Sequence, residues 1–116
     1  MTHRVELEKQ IGVSGAEDQV LRFPESVVRD LKTVTDILIR HHAKRIILYG
    51  SFARGDFRLS SDLDLCVEEI PDEEYFSAWA ETLMIVSRHV SILDLAGVRG
   101  YLRERILSEG MVLYAV

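Results

Sequence analysis

The chain has 116 residues, of which 47% are hydrophobic and 28% charged, and this is enough for one globular domain with its own core. Fourteen lysines and arginines against nineteen aspartates and glutamates give a net charge of -5, which disfavours direct binding to nucleic acid through its phosphates. Short apolar runs and the lack of a secretory signal predict a cytoplasmic protein with no membrane segment.

Residues 1–23 have the weakest pattern in the chain. Their polarity is mixed, and glycine and serine interrupt it, so only a short element around residues 5–11 is indicated. From Pro24 or Glu25 onward, apolar residues recur at helical spacing and predict a helix with one buried face. We therefore divide the chain into an N-terminal extension of uncertain structure, 1–23, and a domain, 24–116.

Two short strands are predicted after this helix. Residues 46–49 form a continuous apolar run that ends at Gly50, which is typical of a strand covered on both faces. In the second run, Leu63, Leu65 and Val67 alternate with Asp62, Asp64 and Cys66. The aliphatic side chains should therefore lie on one face and the carboxylates on the other. The single cysteine lies in this second run, and we expect it to be a small core residue.

A second helix is predicted after Pro71, because three acidic residues there precede apolar residues at helical spacing. We expect its aromatic residues Tyr75, Phe76 and Trp79 to lie in the core rather than at an interface with a partner. A small sheet with an open edge, together with these aromatic residues, also suggests more hydrophobic surface than three helices cover, and hence a protein partner.

The last part of the chain predicts a third strand over residues 90–95, a third helix from Val98 that ends at Gly110, and a final strand over residues 111–114. Strands that alternate with helices indicate an α/β or α+β fold, in which helices pack on one small mixed sheet.

Gly50 and Ser51 follow the first buried strand. A missing side chain at Gly50 lets an anion approach the backbone, and Ser51 offers a hydroxyl and an amide at a predicted helix start. The pair suits a triphosphate, although Gly-Ser after a strand is also common in ordinary turns.

Asp62 and Asp64 are two residues apart on a strand, so both side chains should lie on one face and repel each other. A divalent cation relieves that repulsion, and oxygen ligands without histidine or cysteine favour Mg²⁺ or Mn²⁺. The alternative is an exposed strand face that binds nothing.

The two motifs are separated by ten residues, in the segment YGSFARGDFRLSSDLDLCV. This arrangement resembles the signature of the DNA-polymerase-beta-like nucleotidyltransferase superfamily. The Ala-Arg-Gly after Ser51 and the Ser before Asp62 are similar to its minimal branch, the MNT proteins, which are antitoxin partners of HEPN-domain ribonuclease toxins. The resemblance covers residues 24–116 and includes the ending ILSEGMVLY.

The resemblance implies a nucleotidyltransferase fold in which ATP lies with its triphosphate on the Gly50-Ser51 turn. Asp62 and Asp64 would be the catalytic residues and would hold one or two Mg²⁺ or Mn²⁺ ions. Arg54 would contact phosphate oxygens, or would instead pair with a nearby acid on the helix surface. The implied reaction transfers AMP from ATP to a tyrosine hydroxyl of a HEPN toxin, which the antitoxin thereby silences, as in a type VII system.

One residue departs from the family pattern. Active members generally carry a third carboxylate on a neighbouring strand, and counting along the motif places Ser91 there; Asp94, three residues on, should face the other side. A serine is not a strong anionic ligand. The sequence therefore leaves two functions open: an active adenylyltransferase, or a degenerate nucleotide-binding antitoxin that neutralises its HEPN partner by association. A transferase acting on antibiotics is disfavoured, since such enzymes usually add an acceptor-binding domain, and self-association stays open.

Overall fold

Four strands form one sheet in the computed structural model, which describes residues 16–116. The strands are β1 (Arg45–Tyr49), β2 (Leu63–Glu68), β3 (Val90–Asp94) and β4 (Met111–Ala115). Their order in the sheet is β3-β2-β1-β4, with β1 antiparallel to both of its neighbours and β2 parallel to β3. The small mixed sheet predicted from the sequence is confirmed.

Five α-helices and one short 3-10 helix surround this sheet among the described residues. They are α1 (Ala16–Leu21), α2 (Glu25–Arg40), α3 (Ser51–Arg54), α4 (Asp72–Ile85), the 3-10 helix (Leu95–Gly97) and α5 (Gly100–Glu109). Helix α1 lies within the segment interpreted as an extension, contacts α2 and β4, and buries Val20 in the core. The element proposed around residues 5–11 lies outside the described residues.

The core has two parts, one on each face of the sheet. Helices α2 and α4 cover one face, where Ile46 and Leu48 of β1 are fully buried; the 3-10 helix and α5 cover the other, where Ile47 is buried. The prediction that β1 is covered on both faces is confirmed. Cys66 is also buried, as predicted, and it lies on the same face of β2 as Asp64, where the 3-10 helix and α5 cover it.

The third predicted strand ends one residue early. Asp94 terminates β3, and its carboxylate accepts a hydrogen bond of 3.1 Å from the amide of Ala96, so the chain turns into the 3-10 helix at Leu95. The following helix begins at Gly100 rather than Val98. A side-chain cap therefore decides this boundary, which hydrophobic spacing alone does not reveal.

Helix α4 contradicts the expectation that its aromatic residues belong to the core. Phe76 is 67% exposed and Trp79 43% exposed, whereas Ala78 and Thr82 are the buried residues of the helix. Tyr75 is half-buried and donates its hydroxyl to the carbonyl of Ile92. Small side chains face the rest of the fold, so the large apolar ones on the opposite side of α4 lie in solvent.

His41 joins the end of α2 to α4. Its Nδ1 lies 2.7 Å from Glu74 Oε1 and its Nε2 lies 2.9 Å from Glu81 Oε1. Both ring nitrogens can donate only when the imidazole is protonated. The hydrogen bond to Glu81 is the largest cause that raises the pKa of His41 above its ordinary value, with Glu74 acting in the same direction against desolvation.

We expect this bridge to make stability depend on pH. Because the folded-state pKa of His41 is raised, the stabilisation is fully present below the unfolded-state pKa and is lost as pH rises through the folded-state pKa. Urea unfolding at pH 6 and pH 9 should show a decrease of about 1 kcal/mol in the wild type that is absent in His41→Gln. An equal decrease in both proteins would contradict the prediction, and His42→Gln, an exposed neighbour, is the control.

Candidate active site

Three polar residues form a row across neighbouring strands at one end of the sheet. Tyr49 is paired with Asp64 between β1 and β2, and Asp64 is paired with Ser91 between β2 and β3. All three are partly buried, on the face that α5 covers. The sheet register therefore brings two predicted positions, Asp64 and Ser91, side by side.

Gly50 and Asp64 lie in direct contact. Gly50 has φ 77° and ψ -154°, a backbone conformation that is essentially restricted to glycine. A Cβ atom added there would overlap the Asp64 carboxylate, with only 3.1 Å to its Cγ. Position 50 therefore requires glycine for two reasons. Glycine can adopt this backbone conformation, and it leaves the space that the Asp64 carboxylate occupies.

Ser51 begins the short helix α3, as the sequence indicates. The Gly50 carbonyl accepts a hydrogen bond of 3.0 Å from the Arg54 amide, and the Ser51 carbonyl accepts one of 2.9 Å from Gly55. Gly50 and Ser51 thus form the tight turn from β1 into α3 that the anion-binding interpretation requires. The Arg54 guanidinium makes an ion pair of 3.4 Å with Asp56, and both side chains are exposed.

The predicted residues line one cavity of about 380 Å³. It brings together the turn after β1, the two aspartates and one side of α5, and its predicted members are Gly50, Ser51, Arg54, Asp62 and Asp64. Sequence reasoning missed the contribution of α5, which includes Arg105 and Glu109, an ion pair of 3.2 Å. No local motif marks Arg105, since only the packing of α5 brings it to the cavity.

The two aspartates have different environments. Asp62 precedes β2, is 56% exposed and lies 3.3 Å from Nδ1 of His89, whereas Asp64 is half-buried on the strand. Desolvation raises the pKa of Asp64, and the negative charge of Asp62 raises it further. A cation between or beside these carboxylates would favour their charged forms.

Ser91 occupies the place beside Asp64 where the resemblance expects a third carboxylate. Its side chain hydrogen-bonds with Tyr49, an effect that opposes the rise in the pKa of Tyr49 caused by burial. Asp94 is paired with Val67 three residues along the strand, and its carboxylate caps the 3-10 helix. Within residues 16–116, no group of three or more histidine, cysteine, aspartate or glutamate side chains is placed to hold a metal ion.

The residues present still fit a magnesium or manganese ion that is shared with a substrate. These ions commonly take one or two protein carboxylates and complete their coordination with phosphate oxygens and water. Asp64, which is partly desolvated next to a second negative charge, matches that role, and Asp62 supplies the second carboxylate. The donor set is thus weaker than a three-carboxylate site but of the right chemical type.

Arg88 holds the segment that leads into Asp62. Its side chain is only 12% exposed; Nε donates to Asp30 Oδ2 at 3.0 Å, and the guanidinium also donates to the carbonyls of Leu59 and Ser61. Arg88 therefore ties the loop before β2 to helix α2. No motif in the sequence identifies this residue, because its partners lie on α2 and in the loop before β2, both distant from it along the chain.

Replacing Arg88 with Gln should destabilise the fold by about 2–4 kcal/mol. The substitution leaves the largely buried Asp30 carboxylate without its cation, and two backbone carbonyl oxygens lose their hydrogen-bond donor. Urea unfolding measures this change. Arg29→Gln, an exposed arginine of the same groove, is the matched control and should change stability by less than about 0.5 kcal/mol. Equal effects of the two substitutions would show that Arg88 does not anchor the loop.

No helix among the described residues is long and apolar enough to cross a membrane.

Comparison with known proteins gives consistent matches. Residues 32–116 match the family model described as "Polymerase beta, Nucleotidyltransferase". An inferred protein adenylyltransferase of Methanocaldococcus jannaschii is 26% identical over 83 residues, which is 69% of this chain and 89% of the relative.

Two solved structures share the fold. An inferred minimal nucleotidyltransferase is 30% identical, with a TM-score of 0.56 over 71% of this chain and 86% of that one. A toxin–antitoxin structure with AMP-PNP contains a chain that is 17% identical, with a TM-score of 0.60 over 80% of this chain and 75% of that one. Since the family model spans most of the sequence, including the Gly50-Ser51 turn and both aspartates, the chain belongs to the polymerase-beta-like nucleotidyltransferase family.

Proposed function

We propose that this nucleotidyltransferase is the adenylyltransferase antitoxin of a HEPN ribonuclease toxin, and that it transfers AMP from ATP to a tyrosine hydroxyl of that toxin. The observation that carries the proposal is the contact between the Asp64 carboxylate and Gly50, at the cavity that Ser51, Arg54 and Asp62 also line. The relatives support it, since one is an inferred protein adenylyltransferase and another belongs to a toxin–antitoxin pair.

In this proposal the Gly50-Ser51 turn receives the triphosphate. The Ser51 hydroxyl and amide lie at the start of α3 and line the cavity, whereas the space left by the missing Gly50 side chain holds the Asp64 carboxylate. Arg54 leaves its exposed ion pair with Asp56 and binds phosphate oxygens instead. Breaking that pair costs little free energy, because exposed ion pairs contribute at most about 1 kcal/mol to stability. Arg105, across the cavity on α5, can add a second positive charge.

Asp62 and Asp64 would hold Mg²⁺ or Mn²⁺. When bound, such an ion supplies charge neutralisation at the transferred phosphate and at the leaving pyrophosphate. The toxin's hydroxyl attacks the α-phosphorus in line, so a new phosphorus–oxygen bond forms, the bond to pyrophosphate breaks, and the hydroxyl proton passes to solvent or a nearby base. The side chains of this protein position the reactants and their charges, and none forms a covalent bond with the nucleotide.

Ser91 supports a second function in which the protein neutralises the toxin by association alone. The neutral serine beside Asp64 provides no third negative charge, so metal binding and transfer would be weak while the fold and the cavity persist. Nucleotide would then bind without reacting.

One experiment distinguishes the two functions. The protein is incubated with labelled ATP, Mg²⁺ and the product of the neighbouring gene as the candidate toxin, and both label on that protein and its toxin activity are measured. Label on the toxin that disappears in the Asp62→Asn, Asp64→Asn double variant supports transfer. Neutralisation without label, unchanged in that variant, supports association and contradicts the proposed reaction.

A further inference from the structure

Helix α4 presents an apolar face that nothing within residues 16–116 covers. Its outward side chains are Phe76, Trp79, Leu83 and Met84, which are 67%, 43%, 55% and 86% exposed. Their spacing of three, four and one residues places them along one side of the helix, opposite the buried Ala78 and Thr82. Four large apolar side chains in one continuous strip are unusual on a protein surface that has no partner.

The same side of α4 is acidic at its N-terminal end. Asp72 and Glu73 are exposed and lie one turn before Phe76, so they extend the apolar strip with two negative charges. The two other acids of the helix are already engaged, since Glu74 and Glu81 bind His41. The helix has no lysine or arginine.

We propose that this α4 strip, made of Asp72, Glu73, Phe76, Trp79, Leu83 and Met84, docks an amphipathic helix of the partner protein. The partner helix would place its apolar side on the strip and basic residues against Asp72 and Glu73. The inference rests on the proposed function only in taking the toxin as the partner; it does not require nucleotide transfer.

Charge complementarity favours such a partner over a second copy of this chain. Two α4 helices that packed in parallel would place acid against acid. Two that packed antiparallel would place Asp72 and Glu73 against Leu83 and Met84, which desolvates the charges without pairing them. A different helix, with cations at one end and an apolar side, pairs with both the acidic and the apolar part of the strip.

The strip and the candidate active site lie on different sides of the sheet. Ala78 of α4 belongs to the part of the core that α2 covers, whereas Ile106 of α5 belongs to the other part and lines the cavity. A partner bound to α4 therefore leaves the cavity accessible. Docking and catalysis should accordingly be separable by substitution.

The test uses the full chain and the toxin encoded beside its gene, with affinity measured by calorimetry. Phe76→Glu and Leu83→Glu should each weaken the complex at least tenfold, and Asp72→Lys with Glu73→Lys should weaken it severalfold and reduce its salt dependence. Leu21→Glu, at a 55% exposed apolar residue of α1, is the matched control and should bind like the wild type. Each variant must keep the far-UV circular dichroism spectrum and the urea unfolding transition of the wild type, which shows that it is folded.

Three results would overturn the proposal. The first is a complex that does not form with the wild type, or that forms equally well with Phe76→Glu and Leu83→Glu. The second is a homodimer in light scattering that Leu83→Glu converts to monomer, since a second copy would then cover the strip. The third concerns Trp79, the single tryptophan. If acrylamide quenches its fluorescence more strongly after deletion of residues 1–15, those residues cover the strip in the full chain.

The proposed reaction and the proposed surface fail in different ways. If Asp64→Asn loses transfer and keeps the complex, both proposals stand. If the wild-type complex forms through α4 and no label reaches the toxin, the docking surface stands and the transfer reaction is wrong.

Discussion

Replacing Gly50 with Ala should strongly reduce nucleotide transfer and destabilise the protein. The new Cβ would overlap the Asp64 carboxylate, and alanine would have to adopt a conformation that only glycine populates readily. The strain alone should reduce the free energy of unfolding by about 1–3 kcal/mol. Displacing Asp64 by about 1 Å should reduce transfer about a hundredfold.

Gly55 provides the matched control for this substitution. It also has a positive φ, 89°, but a Cβ there meets nothing within 4 Å. Gly55→Ala should therefore cost about 1 kcal/mol of backbone strain and leave nucleotide binding unchanged. Urea unfolding and calorimetry with AMP-PNP measure both effects, and equal loss of nucleotide binding in the two variants would refute the role of the Gly50–Asp64 contact.

Replacing Ser91 with Asp should increase metal affinity and transfer. The sheet register places residue 91 beside Asp64, which lines the cavity, so the substitution adds a third carboxylate next to the two aspartates. We expect binding of Mn²⁺ to strengthen at least tenfold, which corresponds to about 1.4 kcal/mol. Calorimetry measures that affinity, and label transfer to the toxin measures the activity.

The same substitution should lower stability when no divalent ion is present. A new charge beside Asp64 repels it, and burial already raises the pKa of Asp64. The melting temperature of Ser91→Asp should therefore lie below that of the wild type in EDTA and above it in Mn²⁺. Ser91→Asn, which is similar in size but uncharged, should show neither effect. If Ser91→Asp binds Mn²⁺ no better than Ser91→Asn, position 91 does not belong to the metal site.

Much of the fold follows from local patterns in the sequence. The helix over residues 25–40 and the strand ending at Tyr49 were predictable because burial on one or both faces imposes a definite hydrophobic period. A turn after a buried strand and alternation along the next strand also predicted where Gly50, Ser51 and Asp64 lie, and these residues line one cavity. Their role in nucleotide binding is implied by the family resemblance and stays a prediction. The placement of Ser91 came from counting along a motif, and the register of β2 and β3 agrees with it.

Contacts between distant parts of the chain were not predictable in this way. Apolar spacing predicts α4 but does not show which side of the helix is buried. The small side chains of Ala78 and Thr82 are buried, whereas those of Phe76 and Trp79 are exposed. Arg88 gave no local signal, since its partners lie on α2 and in the loop before β2.

By itself, the sequence determined the order of the main helices and strands after residue 24 and the nucleotidyltransferase signature, because each depends on residue type and spacing along the chain. Only the tertiary structure decided that Asp64 is half-buried against Gly50 while Asp62 is exposed beside His89, that Arg105 reaches the cavity, and that α4 leaves an apolar strip uncovered. The physical reason is that burial and charge environment depend on which distant segments pack together, and local periodicity carries no information about that pairing.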